Sequence, residues 1–188
     1  MLKDNSLLIN IINTDNEPNI INQIIDMKSN PFQKYLTQED NEHIRVVNYI
    51  KDKLPDVVAF HIPNESKKSA FERYKHSLMG ALKGCPDFAF MFPKYKSLDS
   101  KEILYHGLFI ELKADEHSKV VLKGKDAGKI VKRKGKLSEE QKIVLEKLNN
   151  IGYQAVCCFG SDEAIKVINN YFADYLELKN KLKSKKII

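Results

Sequence analysis

The chain has 188 residues, 43% hydrophobic and 30% charged, which is ordinary for a soluble globular protein and enough for one domain with a proper core. No uninterrupted apolar run approaches the ~20 residues that span a bilayer, and the Leu- and Ile-rich run after Asp4 lacks the small-residue cleavage site of a signal peptide. Three cysteines, Cys85, Cys157 and Cys158, have neither the number nor the spacing of a disulfide framework or a zinc site, so reduced thiols in a cytosolic protein are expected.

The net charge of +6 is concentrated in one place. Eight basic residues (Lys119, Lys123, Lys125, Lys129, Lys132, Arg133, Lys134 and Lys136) stand against the single acid Asp126, a local +7 that leaves the rest of the chain near neutral. Such a block on a neutral body reads as a polyanion footprint, with a solvated Lys-rich hairpin as the bland alternative.

Residues 1–36 form an Asn- and Ile-rich extension to a single domain spanning 37–188. Pro18 opens a helix in the extension, with Ile20, Ile21, Ile24 and Ile25 as its apolar stripe. Thr37 caps the next helix, which has acids in its first turn and runs to about Leu54, with His43, Val46, Val47, Ile50 and Leu54 on one stripe. Pro55-Asp56 ends it, and VVAFHI (57–62) reads as a strand. A helix is expected over 69–83, with Gly80 able to end it early and Gly84 plus Pro86 to stop it.

Two short apolar strands follow, 87–92 and 107–114, joined by a loop (93–106) and close enough in sequence to form an antiparallel hairpin. Residues 115–136 read as a basic β-ribbon insertion. Ser138 to Gln141 is a capping-box pattern that starts a helix to about Asn150, with Gln141, Val144, Leu145 and Leu148 facing the sheet. Gly152 caps that helix, 153–159 is a buried strand parallel to an earlier one, and one long helix is expected from Ser161 into a Lys-rich tail. The order predicts an α/β fold with a mixed sheet flanked by helices.

One strand breaks its own pattern. In GLFIELKA, period-two alternation puts Leu108, Ile110, Leu112 and Ala114 on one face and Glu111 and Lys113 on the other. Two charges inside a buried strand cost several kcal/mol each unless compensated, which marks a site rather than a fold. Asp87 stands at the mouth of the neighbouring strand, so the three converge at one end of the sheet. Two carboxylates in a cleft suit a hard divalent ion, and a lysine on the same face can hold an attacking water or stabilise developing charge. Singly, Pro-Asp is a turn and Glu-Leu-Lys a common tripeptide. A second copy, Glu177-Leu178-Lys179, lies in the polar C-terminal helix and is expected to be solvated surface. Of the histidines, His43, His61 and His117 can approach the cleft, and lone histidines are more often structural. Phe88, Phe90 and Phe92 are expected to be core, and Ser138 a helix cap.

Gly84-Cys85-Pro86-Asp87, then FIELKA, then LSEEQ with Gln141 and a Gly-Tyr strand, together resemble the VRR-NUC family of restriction-endonuclease-like PD-(D/E)XK nucleases over about 37–172. His61 and Asn64 in HIPNE also resemble the family's strand before the site. The resemblance implies an α-β-α-β-β-α-β core and a Mg²⁺- or Mn²⁺-dependent endonuclease acting on DNA. Asp87 and Glu111 would be metal ligands, Lys113 the catalytic lysine, and Gln141 a helix residue reaching back into the site. The family's helical acid matches Glu39, with Glu42 second. Where that pattern has a glutamine after the acid, this chain has His43. The resemblance also implies branched DNA such as a Holliday junction as substrate, a homodimer, no membrane association, and a cytoplasmic protein of a prokaryote or of a virus in its host. The alternatives are a restriction-like or flap nuclease, or an inactive DNA-binding module that uses the basic insertion alone.

Overall fold

The computed structural model of the chain describes residues 33–63, 69–120, 125 and 129–185. The expected N-terminal helix lies outside these residues, as does Asn64, and the description begins with one 3-10 turn, Gln33–Tyr35. Helix α1 (Gln38–Lys53) is nucleated by a complete capping box: Thr37 Oγ1 accepts from the Asp40 amide at 3.1 Å, and the Asp40 carboxylate accepts from the Thr37 amide at 2.7 Å. Two of the orphan amides of the first turn are thereby satisfied, and Glu39 and Asp40 complement the helix dipole. Strand β1 (Ala59–His61) and helix α2 (Ala70–Leu78) follow. The chain leaves the helix at Met79 and Gly80, five residues short of the longest expected extent.

Strands β2 (Phe88–Phe90), β5 (Leu108–Lys113) and β8 (Gln154–Phe159) complete a four-stranded sheet of order β1-β2-β5-β8. β1–β2 and β2–β5 are antiparallel, while β5–β8 is parallel through the crossover helix α3 (Glu139–Asn150). β5 therefore has a neighbour on each side and is buried along almost its whole length. The segment read as a plain loop contains a small antiparallel pair, β3 (Lys94–Tyr95) with β4 (Ile103–Tyr105). Beyond β5, β6 (His117–Val120) and β7 (Ile130–Arg133) pair antiparallel as a separate ribbon. Among the described residues no helix is long and apolar enough to cross a membrane.

The core gathers Val46 of α1 and Leu54 just beyond it, Phe88 and Phe90 of β2, and Leu108, Ile110 and Leu112 of β5. Ala164 and Ile168 join them from the next helix, α4 (Ser161–Tyr171). The apolar face of β5 is thus covered by α1 and α4. α3 sends Gln141 to the opposite face, where Glu111 lies.

The expected single C-terminal helix is two. α4 ends at Tyr171, and Phe172, at φ −96° and ψ 15°, turns the chain into α5 (Ala173–Lys185). Phe172 is fully buried against Phe90, Phe92 and Tyr175, with ring centroids 5.4–6.1 Å apart. The bend lets Tyr171, Phe172, Tyr175 and Leu178 all reach the core, a gain in apolar burial that outweighs one interrupted helical turn. It also corrects the expectation for Glu177-Leu178-Lys179. Leu178 is buried, and Lys179 Nζ lies 2.8 Å from Asp56 Oδ2, which also accepts from the Tyr175 hydroxyl at 2.8 Å. The second copy is a structural tie between α5 and the loop after α1.

Candidate active site

Asp87, Glu111 and Lys113 meet at one end of the sheet, and all three are buried: Asp87 is 7% exposed, Glu111 1% and Lys113 8%. Each is held in place by a neighbour. Asp87 Oδ2 accepts from the Leu112 amide at 2.7 Å, which ties the acid of one strand to the backbone of the next. The Asp87 carbonyl accepts from the Ile62 amide at 2.7 Å and faces His61 Nδ1 at 3.1 Å. Lys113 Nζ lies 2.7 Å from Glu111 Oε1. Gln141 Nε2 donates to that same oxygen, while its Oε1 accepts from the Ser138 amide at 2.9 Å. One glutamine therefore closes the capping box of α3 and holds the Glu111 carboxylate. Because the amide group is pinned at its oxygen end, its N–H points into the site at little entropic cost.

Two glycines bring these parts together. Gly84 has φ +81°, and a Cβ placed on it would stand 2.6 Å from the Glu140 carbonyl carbon and 2.8 Å from the Gln141 nitrogen. The Gly-Cys-Pro-Asp loop thus packs directly on the first turn of α3, with a Lys83–Glu140 ion pair at its edge. Gly84→Ala should destabilise the fold by about 1–3 kcal/mol through backbone strain and overpacking. A thermal melt checks this, and an unchanged Tm would mean that the loop does not need this close approach. Gly135 plays the matching part at the insertion. Its amide donates to the Ala114 carbonyl at 2.9 Å, and a Cβ there would come within 2.8 Å of Lys113 Cβ. The basic ribbon therefore closes onto the backbone beside Lys113, and Lys134 Nζ lies 4.1 Å above the Phe159 ring.

The structure separates the two candidate helical acids. Glu42 Oε2 accepts from the Ser161 amide at 2.7 Å, so this carboxylate serves the N-terminus of α4. The Glu39 carbonyl faces His43 Nδ1 at 3.0 Å, and Glu39 is half-buried one turn before His43. The sequence had His43 on the α1 stripe and among the three histidines able to approach the cleft. Its Nε2 stands 3.7 Å from Asp87 Oδ2, and its ring stacks on Phe88 at 5.3 Å and meets His61 edge-on at 5.2 Å. Burial draws the His43 pKa down, but the neighbouring Asp87 and Glu39 outweigh it and leave the ring above its ordinary value.

The thiols also border the site. Cys157 pairs in register with Glu111, and burial together with the Glu111 carboxylate pushes it up to about 11. Cys85 is raised by burial and by the carboxylates of Glu111 and Asp87. Both stay protonated and unreactive at neutral pH, and all three cysteines are free. Of the basic block, Lys125, Lys129, Lys134 and Lys136 are exposed, Lys119, Lys132 and Arg133 lie on the β6–β7 ribbon, and Lys123 lies outside the described residues.

Among the described residues no group of three or more His, Cys, Asp and Glu side chains is gathered for a metal. Two buried carboxylates at one edge remain, and that donor set suits an ion such as Mg²⁺, which commonly takes one or two carboxylates and completes its shell with water and substrate phosphate.

No protein-family profile matches the chain, and no curated protein does. A solved structure described as "VRR_NUC domain protein" does match, with a TM-score of 0.50 and 26% sequence identity over 74% of this chain and 91% of the other. The fold is similar to that of a VRR_NUC domain. The match supports the family resemblance carried by Gly84–Asp87, Glu111, Lys113 and Gln141, and the mixed sheet flanked by helices is compatible with it.

Proposed function

We propose that the chain is a metal-dependent DNA endonuclease of the PD-(D/E)XK type, with residues 37–188 as its nuclease domain and 1–36 as an accessory extension. The observation that carries this reading is the buried Asp87, Glu111, Lys113 and Gln141 cluster with a basic ribbon closing beside it. A buried Glu–Lys pair adds little to stability compared with apolar residues of the same size, so its presence in a central strand calls for another reason.

Asp87 and Glu111 would hold Mg²⁺ or Mn²⁺, with Glu39 as the further acid, and the bound ion would polarise the phosphoryl oxygen and offset charge on the leaving oxygen. Lys113 Nζ, 2.7 Å from Glu111 Oε1, would steady an attacking water or the charge that develops on the phosphate. Gln141 keeps the Glu111 carboxylate aimed while its own amide stays fixed by Ser138. The lysines and Arg133 of the ribbon would neutralise backbone phosphates, which positions the duplex without reading its sequence. Replacing Lys134 and Lys136 by Gln should lower affinity for all duplexes alike and flatten the slope of log affinity against log salt by about 0.9 for each phosphate left without its lysine. A binding series from low to high salt checks this.

Within this function, branched DNA is the substrate we favour, cut by a homodimer acting on opposed strands, as the family resemblance implies. A panel of four-way junction, flap and linear duplex substrates with Mg²⁺ or Mn²⁺ tests it, together with a light-scattering mass. Preferential paired nicks in the junction by a dimer would support resolution. Preference for flap or linear DNA would move the reading to a flap or restriction-like nuclease, and salt-sensitive binding without any cutting would make the chain a DNA-binding module.

A further inference from the structure

The contact between His43 and Asp87 does not have the form of an ordinary hydrogen bond. The Glu39 carbonyl, 3.0 Å from His43 Nδ1, carries no hydrogen, so Nδ1 must carry the proton in that contact. In the neutral ring this leaves a lone pair on Nε2, aimed toward Asp87 Oδ2 at 3.7 Å. Nε2 is buried and has no hydrogen-bond partner among the described residues. In that neutral form two electron-pair donors face each other in a buried site, beyond hydrogen-bonding distance, whereas the protonated ring would face the carboxylate as an ion pair.

Neither donor is free to turn away. The imidazole is held by its stack on Phe88 and its edge contact with His61. Asp87 is held by the Leu112 amide at its carboxylate and by the Ile62 amide at its carbonyl. A ring whose Nδ1–H is fixed by a backbone carbonyl, with Nε2 presented to a carboxylate, is the arrangement of a metal-ligating histidine, in which the second nitrogen sets the tautomer. Two ligands of one ion, each ~2.1 Å from it, stand about 3.0–3.4 Å apart in octahedral or tetrahedral geometry. The observed separation is a few tenths of an ångström wider, within reach of a small rotation of either side chain.

We propose that His43 Nε2 is a ligand to the same divalent ion as Asp87, which biases this site toward Mn²⁺ and other transition ions over Mg²⁺. The inference rests on the metal-dependent reading above and sharpens it. Imidazole nitrogen is a softer donor than the oxygen ligands that Mg²⁺ prefers, so one nitrogen in the shell raises transition-metal affinity far more than Mg²⁺ affinity. The family resemblance does not supply this, since its pattern has a glutamine where this chain has His43.

The experiment is calorimetric titration of the full chain with Mn²⁺ and with Mg²⁺, alongside pulsed electron paramagnetic resonance of the Mn²⁺ complex. The proteins compared are wild type, His43→Gln and Asp87→Asn, each shown by circular dichroism to be folded. The expected result is tighter binding of Mn²⁺ than of Mg²⁺ and a nitrogen modulation in the wild-type echo signal. His43→Gln should lose that modulation and bind Mn²⁺ about tenfold or more weaker, with Mg²⁺ little changed, and Asp87→Asn should weaken both ions. Wild-type binding without nitrogen modulation, or a His43→Gln variant that binds Mn²⁺ as well as wild type, would overturn the inference. His43 would then be an ion-pair partner of Asp87, and the metal-dependent reading would stand. If neither ion binds wild type, both fall together.

Discussion

Lys113→Met should lower stability by about 3–5 kcal/mol, the usual cost of removing one partner from a buried ion pair. Glu111 is 1% exposed, and its Oε1 takes both the Lys113 ammonium and the Gln141 amide. With the ammonium gone, the carboxylate keeps the neutral Gln141 donor but no adjacent cation at Oε1, and must either stay charged in a dry setting or take up a proton. The double variant Glu111→Leu, Lys113→Met should recover most of that loss or exceed wild type, because two apolar residues of similar volume carry no desolvation cost. Urea melts of the three proteins measure this directly. The recovered double variant should be inactive, which is the expected trade between a preorganised site and stability. A single variant as stable as wild type would show that the pair is hydrated and that its burial does not set the local electrostatics.

Asp87→Asn should cut DNA slower by on the order of 10³-fold. The substitution keeps the volume and keeps an oxygen for the Leu112 amide, so the fold should survive. What it removes is the negative charge that faces His43 and that would bind the ion. Single-turnover cleavage with saturating enzyme separates this loss from any change in DNA affinity, which should remain within about twofold if the ribbon, not Asp87, meets the phosphates as proposed. A variant that cut within tenfold of wild type would remove Asp87 from the metal site.

The sequence carried the parts of this architecture that local rules encode. Thr37, read as a cap followed by acids, and Ser138, read as a capping box, announced their helices, and the structure contains a full capping box at each. The alternation in FIELKA placed Glu111 opposite Leu112, and β5 is buried on both faces as that conflict required. What stayed hidden depended on contacts across the chain. Nothing near Lys179 signals Asp56, 123 residues away in sequence. No Gly or Pro marks the bend at Phe172, which is set by how many aromatic rings the core accepts. Glu39 and Glu42 sit one turn apart with similar surroundings in sequence, and the contact of Glu42 with the Ser161 amide appears only in the fold. β3 and β4 are two and three residues long, too short for a period to declare itself. His43 was legible as a stripe residue and as a histidine able to approach the cleft, but its contact with Asp87 appeared only when a strand from elsewhere set that acid before it.

The most direct test is a side-by-side assay of wild type and Lys113→Ala on one junction substrate, measuring cleavage with Mn²⁺ or Mg²⁺ and binding in EDTA. Wild type should cut only with the metal. Lys113→Ala, shown by circular dichroism to be folded, should bind with the same salt dependence and leave the DNA intact. Cutting by Lys113→Ala at the wild-type rate, or metal-independent cutting by either protein, would contradict a phosphodiester chemistry built on Asp87, Glu111 and Lys113.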